Sequence, residues 1–110
     1  MSKPSDLVQG TLDLLLLKIL ALEPLHGFAV SQRLNQVSGD VLQVSDGSLY
    51  PALHRMEEAG WIRAEWVTKA ETGRRARIYE VTADGKKQLS AEESRWLAVT
   101  AAVNQVLRSA

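Results

Sequence analysis

Three observations predict a mainly α chain with one small β-hairpin, an α+β class. Apolar residues recur at helical spacing from Leu7 to Met56, give way to β-branched and aromatic residues between Trp61 and Val81, and return to helical spacing after Thr82.

The first helix is expected over Leu7 to Leu22, with leucines on nearly every side, so it must be covered by other elements or by another subunit. Pro24 ends it. A second helix starts near Gly27, with Phe28, Val30, Leu34 and Val37 inward, and stops at Ser38-Gly39-Asp40. Val41 to Val44 form a short β-prone piece, and Ser45 or Asp46 can cap a third helix that runs to Gly60. Trp61 to Thr68 and Arg77 to Val81 are the two strands of the hairpin, joined by a turn over Ala70 to Arg75. Thr82 caps a final helix from about Ala83 to Arg108, which Gly85 weakens in its first turn.

Composition narrows the function. With 45% hydrophobic and 24% charged residues, 110 residues suit a single globular core. The absence of cysteine excludes disulfides, thiolate metal sites and cysteine nucleophiles, and makes the cytoplasm the default location. The run from Leu14 to Leu22 contains Lys18 and is too short for a membrane span, and MSKPSD lacks the layout of a signal peptide. Net charge is zero, so local distribution matters more: Lys69, Arg74, Arg75 and Arg77 face a single nearby acid, Glu71. His26 and His54 lie on different elements, and neither a glycine-rich phosphate loop nor catalytic or metal-ligand spacing is present. No enzyme, cofactor or metal is expected.

Three short helices followed by a hairpin is the layout of a winged helix-turn-helix, whose third helix enters the DNA major groove while the hairpin reaches the adjacent backbone. On the third helix Leu49, Ala52, Leu53 and Met56 share the core face; Gly47, Pro51, His54 and Glu58 lie opposite, flanked by Ser48, Tyr50 and Arg55. The outward residues are neutral or basic up to Arg55, then acidic at Glu57 and Glu58, so DNA is expected at the front. Pro51 places the helix start close to Ser45–Ser48, because its missing N–H costs least near the first turn. The candidate contacts are Ser45, Gly47, Ser48, Tyr50, Pro51, His54 and Arg55 on the helix, with Lys69, Arg74, Arg75 and Arg77 on the hairpin. The plain alternative is that Tyr50 and Pro51 cover a core edge and the arginines are a solvated loop.

Residues 1–82 thus form a DNA-binding unit and residues 83–110 a dimerisation helix, together one compact body. The final helix carries Leu89, Trp96, Val99, Thr100, Val103, Val106 and Leu107 along one side, more apolar surface than one subunit can cover. Trp96 could also be the platform for a small aromatic or hydrophobic effector, although a Trp at helical spacing is more often core.

The stretches Leu25-His26-Gly27-Phe28, Gly47-Ser48-Leu49-Tyr50-Pro51-Ala52-Leu53-His54-Arg55-Met56-Glu57, Gly60-Trp61-Ile62 and Gly73 to Thr82 resemble the PadR-type transcriptional regulators over nearly the whole chain. The single long last helix resembles the short subclass. That resemblance implies a homodimeric repressor on an inverted-repeat operator, often released by a small ligand. It also implies that Ser48, Tyr50 and Pro51 face DNA and that Arg74, Arg75 and Arg77 lie on the wing. Many members have Gly-Arg-Pro-Arg where this chain has Gly73-Arg74-Arg75-Ala76. The rival function is a protein-interaction module, since winged helices also bind proteins with these faces.

Overall fold

The computed structural model describes residues 9–110. Its order is α1 (Gln9–Leu22), β1 (Leu25–His26), α2 (Gly27–Val37), α3 (Asp46–Glu58), β2 (Ile62–Thr68), β3 (Arg75–Val81) and α4 (Ala83–Leu107). The expected start of the first helix at Leu7 lies outside the described residues. The architecture is the expected one of helices with a winged hairpin.

Helix α1 is the centre of the core. Leu12, Leu16, Leu17, Ile19 and Leu20 are all buried, packed with Val30 of α2, the four-residue face of α3, and Ile62, Tyr79 and Val81 of the hairpin. The expected core face of α3 is buried throughout. On α2, Val30 and Leu34 are buried, but Phe28 and Val37 are exposed, contrary to the expected inward stripe. The apolar arc of α2 is therefore narrow: one face meets α1 and α3, and Phe28 lies just beyond it.

Two local elements differ from the sequence-based expectation. Leu25 and His26 pair with Tyr79 and Ile78 as a short third strand, so the sheet order is β1-β3-β2. Val41 to Val44 form no strand. The Leu42 amide bonds to Ser38 Oγ at 2.9 Å and its carbonyl accepts from Asn35, while Gly39 and Asp40 at φ 64° and 65° turn the chain away from any partner.

Capping chemistry fixes where the helices meet the hairpin. His26 Nδ1 accepts from the Ala29 amide at the start of α2. Helix α3 ends in a Schellman motif: Gly60, at φ 82°, donates to Glu57 and Trp61 donates to Met56, each at 3.0 Å. Thr82 Oγ1 accepts from Gly85 N and donates to Gly60 O, joining the start of α4 to the end of α3.

Candidate nucleic-acid interface

Helix α3 starts at Asp46, so Pro51 is its sixth residue and sits in the second turn rather than at the first. The bond that residue 51 would donate to the Gly47 carbonyl is missing. Ser45 is the N-cap but makes no side-chain capping bond; its hydroxyl donates to Ser48 Oγ at 3.3 Å. Gly47, Tyr50, Pro51 and His54 are exposed and Ser48 is half-buried. A Cβ on Gly47 would meet only Ser45 Oγ, at 3.8 Å, so no internal contact requires a glycine there.

Two residues of the expected helix contacts are engaged inside the chain. Arg55 is ion-paired with Asp13 of α1, a buried carboxylate. Burial raises the Asp13 pKa above its ordinary value, against the opposing pull of Arg55, and Glu92 of α4 pushes it in the same direction as burial. His54 Nε2 contacts Glu58 one turn on, both side chains being exposed.

The hairpin grades from apolar to cationic along its inner face. The facing pairs run Ile62 with Val81, Ala64 with Tyr79, Trp66 with Arg77 and Thr68 with Arg75. Arg77 lies in β3 as expected, and Arg75 joins it there rather than the turn, which closes through Lys69 N to Arg74 O and Gly73 N to Lys69 O, both 2.8 Å. Arg75 stacks over Trp66 at 4.7 Å. Arg77 lies 5.9 Å from Trp66 and 5.8 Å from Tyr79, and its Nη2 donates to Glu57 Oε2 of α3 at 2.7 Å. Tyr79 is buried, which lifts its phenol pKa despite Arg77. Lys69 and Arg74 form no ion pair among the described residues and are exposed at the tip.

These pieces surround one cleft. Its walls include Phe28, Tyr50, Trp66, Lys69 and Arg77, bringing the front of α3, the start of α2 and the wing together. Sequence reasoning missed Phe28 and Trp66 in this place. Phe28 fits a helical stripe, and Trp66 fits a strand; only the crossing of those elements makes them neighbours.

The family model described as the transcriptional regulator PadR-like family matches residues 16–91. The chain belongs to that family. A PadR-like transcriptional regulator from Bacillus cereus is 29% identical, with a TM-score of 0.79 over 94% of this chain and 97% of its own. A PadR family transcriptional regulator from Eggerthella lenta is 26% identical, with a TM-score of 0.80 over 93% and 86%. At 22% identity, a transcriptional regulator from Clostridium thermocellum shares the fold, with a TM-score of 0.82 over 92% and 97%.

In this PadR-like chain α4 leaves the body early. Leu89 packs against the core of its own subunit, but from Glu93 onward every residue except Thr100 is exposed. Trp96, Val99, Val103, Val106 and Leu107 are all at least 45% exposed, as is Leu97, which the expected stripe omitted. Thr100 Oγ1 is buried without a hydrogen-bond partner among the described residues. Trp96 and Val99 also line a second cleft with Gly10, Thr11 and Leu14 of α1, edged by Glu92 and Arg95. No described helix is long and apolar enough to cross a membrane.

Proposed function

We propose that this PadR-like regulator is a cytoplasmic homodimeric repressor that binds an inverted-repeat operator and is released by a small aromatic or hydrophobic ligand. The observation that carries the DNA contact is the single cleft joining the exposed front of α3 to the cationic inner face of the wing. Gly47, Ser48, Tyr50, Pro51 and His54 supply the groove side, with Ser45 at the helix entry. Lys69, Arg74 and Arg75 supply the phosphate side. Arg55 and Arg77 border the same surface but are held by acids of the chain itself.

The bare side of α4 supports dimerisation, and the apolar cleft beneath Trp96 supports a ligand close to that interface. Binding of duplex DNA from the region upstream of the chain's own reading frame tests the repressor. The expected affinity falls steeply with salt, with a log–log slope of about −0.9 per neutralised phosphate. Arg74→Ala should flatten that slope by about one unit. Absence of binding at low salt would remove the repressor function and leave the protein-interaction module. Quenching of tryptophan fluorescence by planar aromatic compounds, lost in Trp96→Phe, tests the ligand.

A further inference from the structure

We infer that Glu57 is a positioning residue for DNA binding: through Arg77 it locks the wing to the back of α3 and sets the angle between the two DNA-facing elements. This rests on the DNA-binding function proposed above. From the sequence, Glu57 belongs to an acidic helix end that repels phosphate. In the structure its carboxylate is turned onto the hairpin, 2.7 Å from Arg77 Nη2, with the Glu57 side chain only 27% exposed.

Beyond its base and the two-residue pairing with β1, few contacts orient the hairpin. Ile62 and Val81 anchor its base in the core, and Ala64 and Tyr79 pack against that core one step further on. The next facing pair is Trp66 and Arg77, and Trp66 is 57% exposed. On its other side β1 braces β3 as far as Ile78, and past that point the hairpin is a two-stranded ribbon, marginally stable unless a side contact holds it. Arg77 is that contact. Its guanidinium bonds Glu57 while lying within cation–π range of both Trp66 and Tyr79, so one side chain joins the helix, the strand pair and the ring on which Arg75 rests. The Glu57 carboxylate holds Arg77, both Arg77 and Arg75 lie over Trp66, and Trp66 and Lys69 are thereby presented in the cleft beside Tyr50.

The opposite face of the hairpin provides an internal control. Arg63 Nε donates to Glu80 Oε1 at 2.8 Å, an ion pair that links β2 to β3 without touching α3. Glu57→Gln and Glu80→Gln each delete one negative charge from an ion pair of the hairpin. Net-charge electrostatics predicts no loss of binding for either. The latch predicts a loss for Glu57→Gln alone.

Fluorescence anisotropy with the upstream duplex, over a range of salt concentrations, decides between them. The expected result is that Glu57→Gln weakens binding by on the order of fivefold or more and flattens the salt slope, because the wing phosphates drop out. Arg77→Gln should weaken it similarly, and the double variant should bind no more weakly than either single one. Glu80→Gln should bind as tightly as wild type or tighter. If Glu57→Gln binds as well as wild type the latch is overturned, and if it gains affinity with a slope steeper by about one unit the latch is overturned and Arg77 is instead a phosphate contact that Glu57 merely quenches. Thermal melts by circular dichroism verify folding. Should Glu57→Gln not fold, Glu57→Asp, which keeps the charge but shortens its reach, carries the same prediction. A wild-type chain that binds no duplex removes the DNA-binding function itself, whereas a binding wild type with an unaffected Glu57→Gln removes only the latch.

Discussion

The ring of Tyr50 lies across Gly27: a Cβ on that glycine would stand 2.7 Å from Tyr50 Cε1 and 3.2 Å from its hydroxyl oxygen. Gly27 is buried at the first residue of α2, and Tyr50 is 44% exposed near the front of α3. The absent side chain at Gly27 thus lets the Tyr50 ring lie against the start of α2 and sets where its hydroxyl sits. With the ring free to swing toward solvent, Gly27→Ala should cost under about 1 kcal/mol of stability yet weaken DNA binding on the order of tenfold. In a Tyr50→Ala background the same substitution should have no further effect on affinity. Anisotropy titrations of the four proteins measure this cycle, and additive losses would separate the two residues.

Gly85 answers to a different constraint. It is buried in the first turn of α4, where a Cβ would overlap the Trp61 carbonyl oxygen and press on Val81 Cγ1. The carbonyl is backbone and already accepts from Thr82 N at 3.0 Å, so it cannot step aside as the Tyr50 ring can. Gly85→Ala should destabilise by about 3 kcal/mol despite alanine's better helix propensity. A urea midpoint close to wild type would contradict this packing.

The contrast between these glycines marks what the sequence makes legible. Local signals are sufficient for the helices, the hairpin and the buried face of α3, since each depends on spacing within one segment. The 2-residue β1 was illegible because Leu25 gains its strand character only from Tyr79, far along the chain. Val41 to Val44 have the composition of a strand and no neighbour to pair with. At the candidate interface, Arg55 and Arg77 read as free cations, yet their partners Asp13 and Glu57 lie 42 and 20 residues away, a separation no periodicity reveals. Gly85, a mere weakness by helix propensity, is dictated by the carbonyl that crosses it.

Asp13 gives a pH prediction with a definite sign. Burial raises its folded-state pKa above the ordinary 3.8, so between those two values the folded chain binds more protons than the unfolded one. In that window Asp13 contributes stability that diminishes as pH rises through the folded-state value. Other carboxylates titrate there too, so the quantity to follow is wild-type minus Asp13→Asn stability. That difference should decrease with rising pH and then level off, measured by urea unfolding from about pH 3.5 to 6. A difference that grows with pH would mean that the Arg55 pair outweighs burial.

Val103 tests the exposed face of α4. It is 50% exposed in the single chain, so Val103→Glu leaves the subunit's own core untouched and its melting cooperative. In the proposed dimer the same carboxylate would be buried without a partner, at a cost of several kcal/mol for the interface. Sedimentation should then find monomers at concentrations where wild type is a dimer. DNA affinity should fall with it, because two recognition helices held about 34 Å apart engage both half-sites while one engages a single half-site. The salt slope should drop toward half its wild-type value, since half the phosphate contacts are lost per bound molecule. Sedimentation and slope together separate lost dimerisation from a distorted DNA surface, which would lower affinity in a species that still sediments as a dimer. An unchanged dimer would move the interface off Val103 and toward Trp96 and Leu97, nearer the body of the subunit.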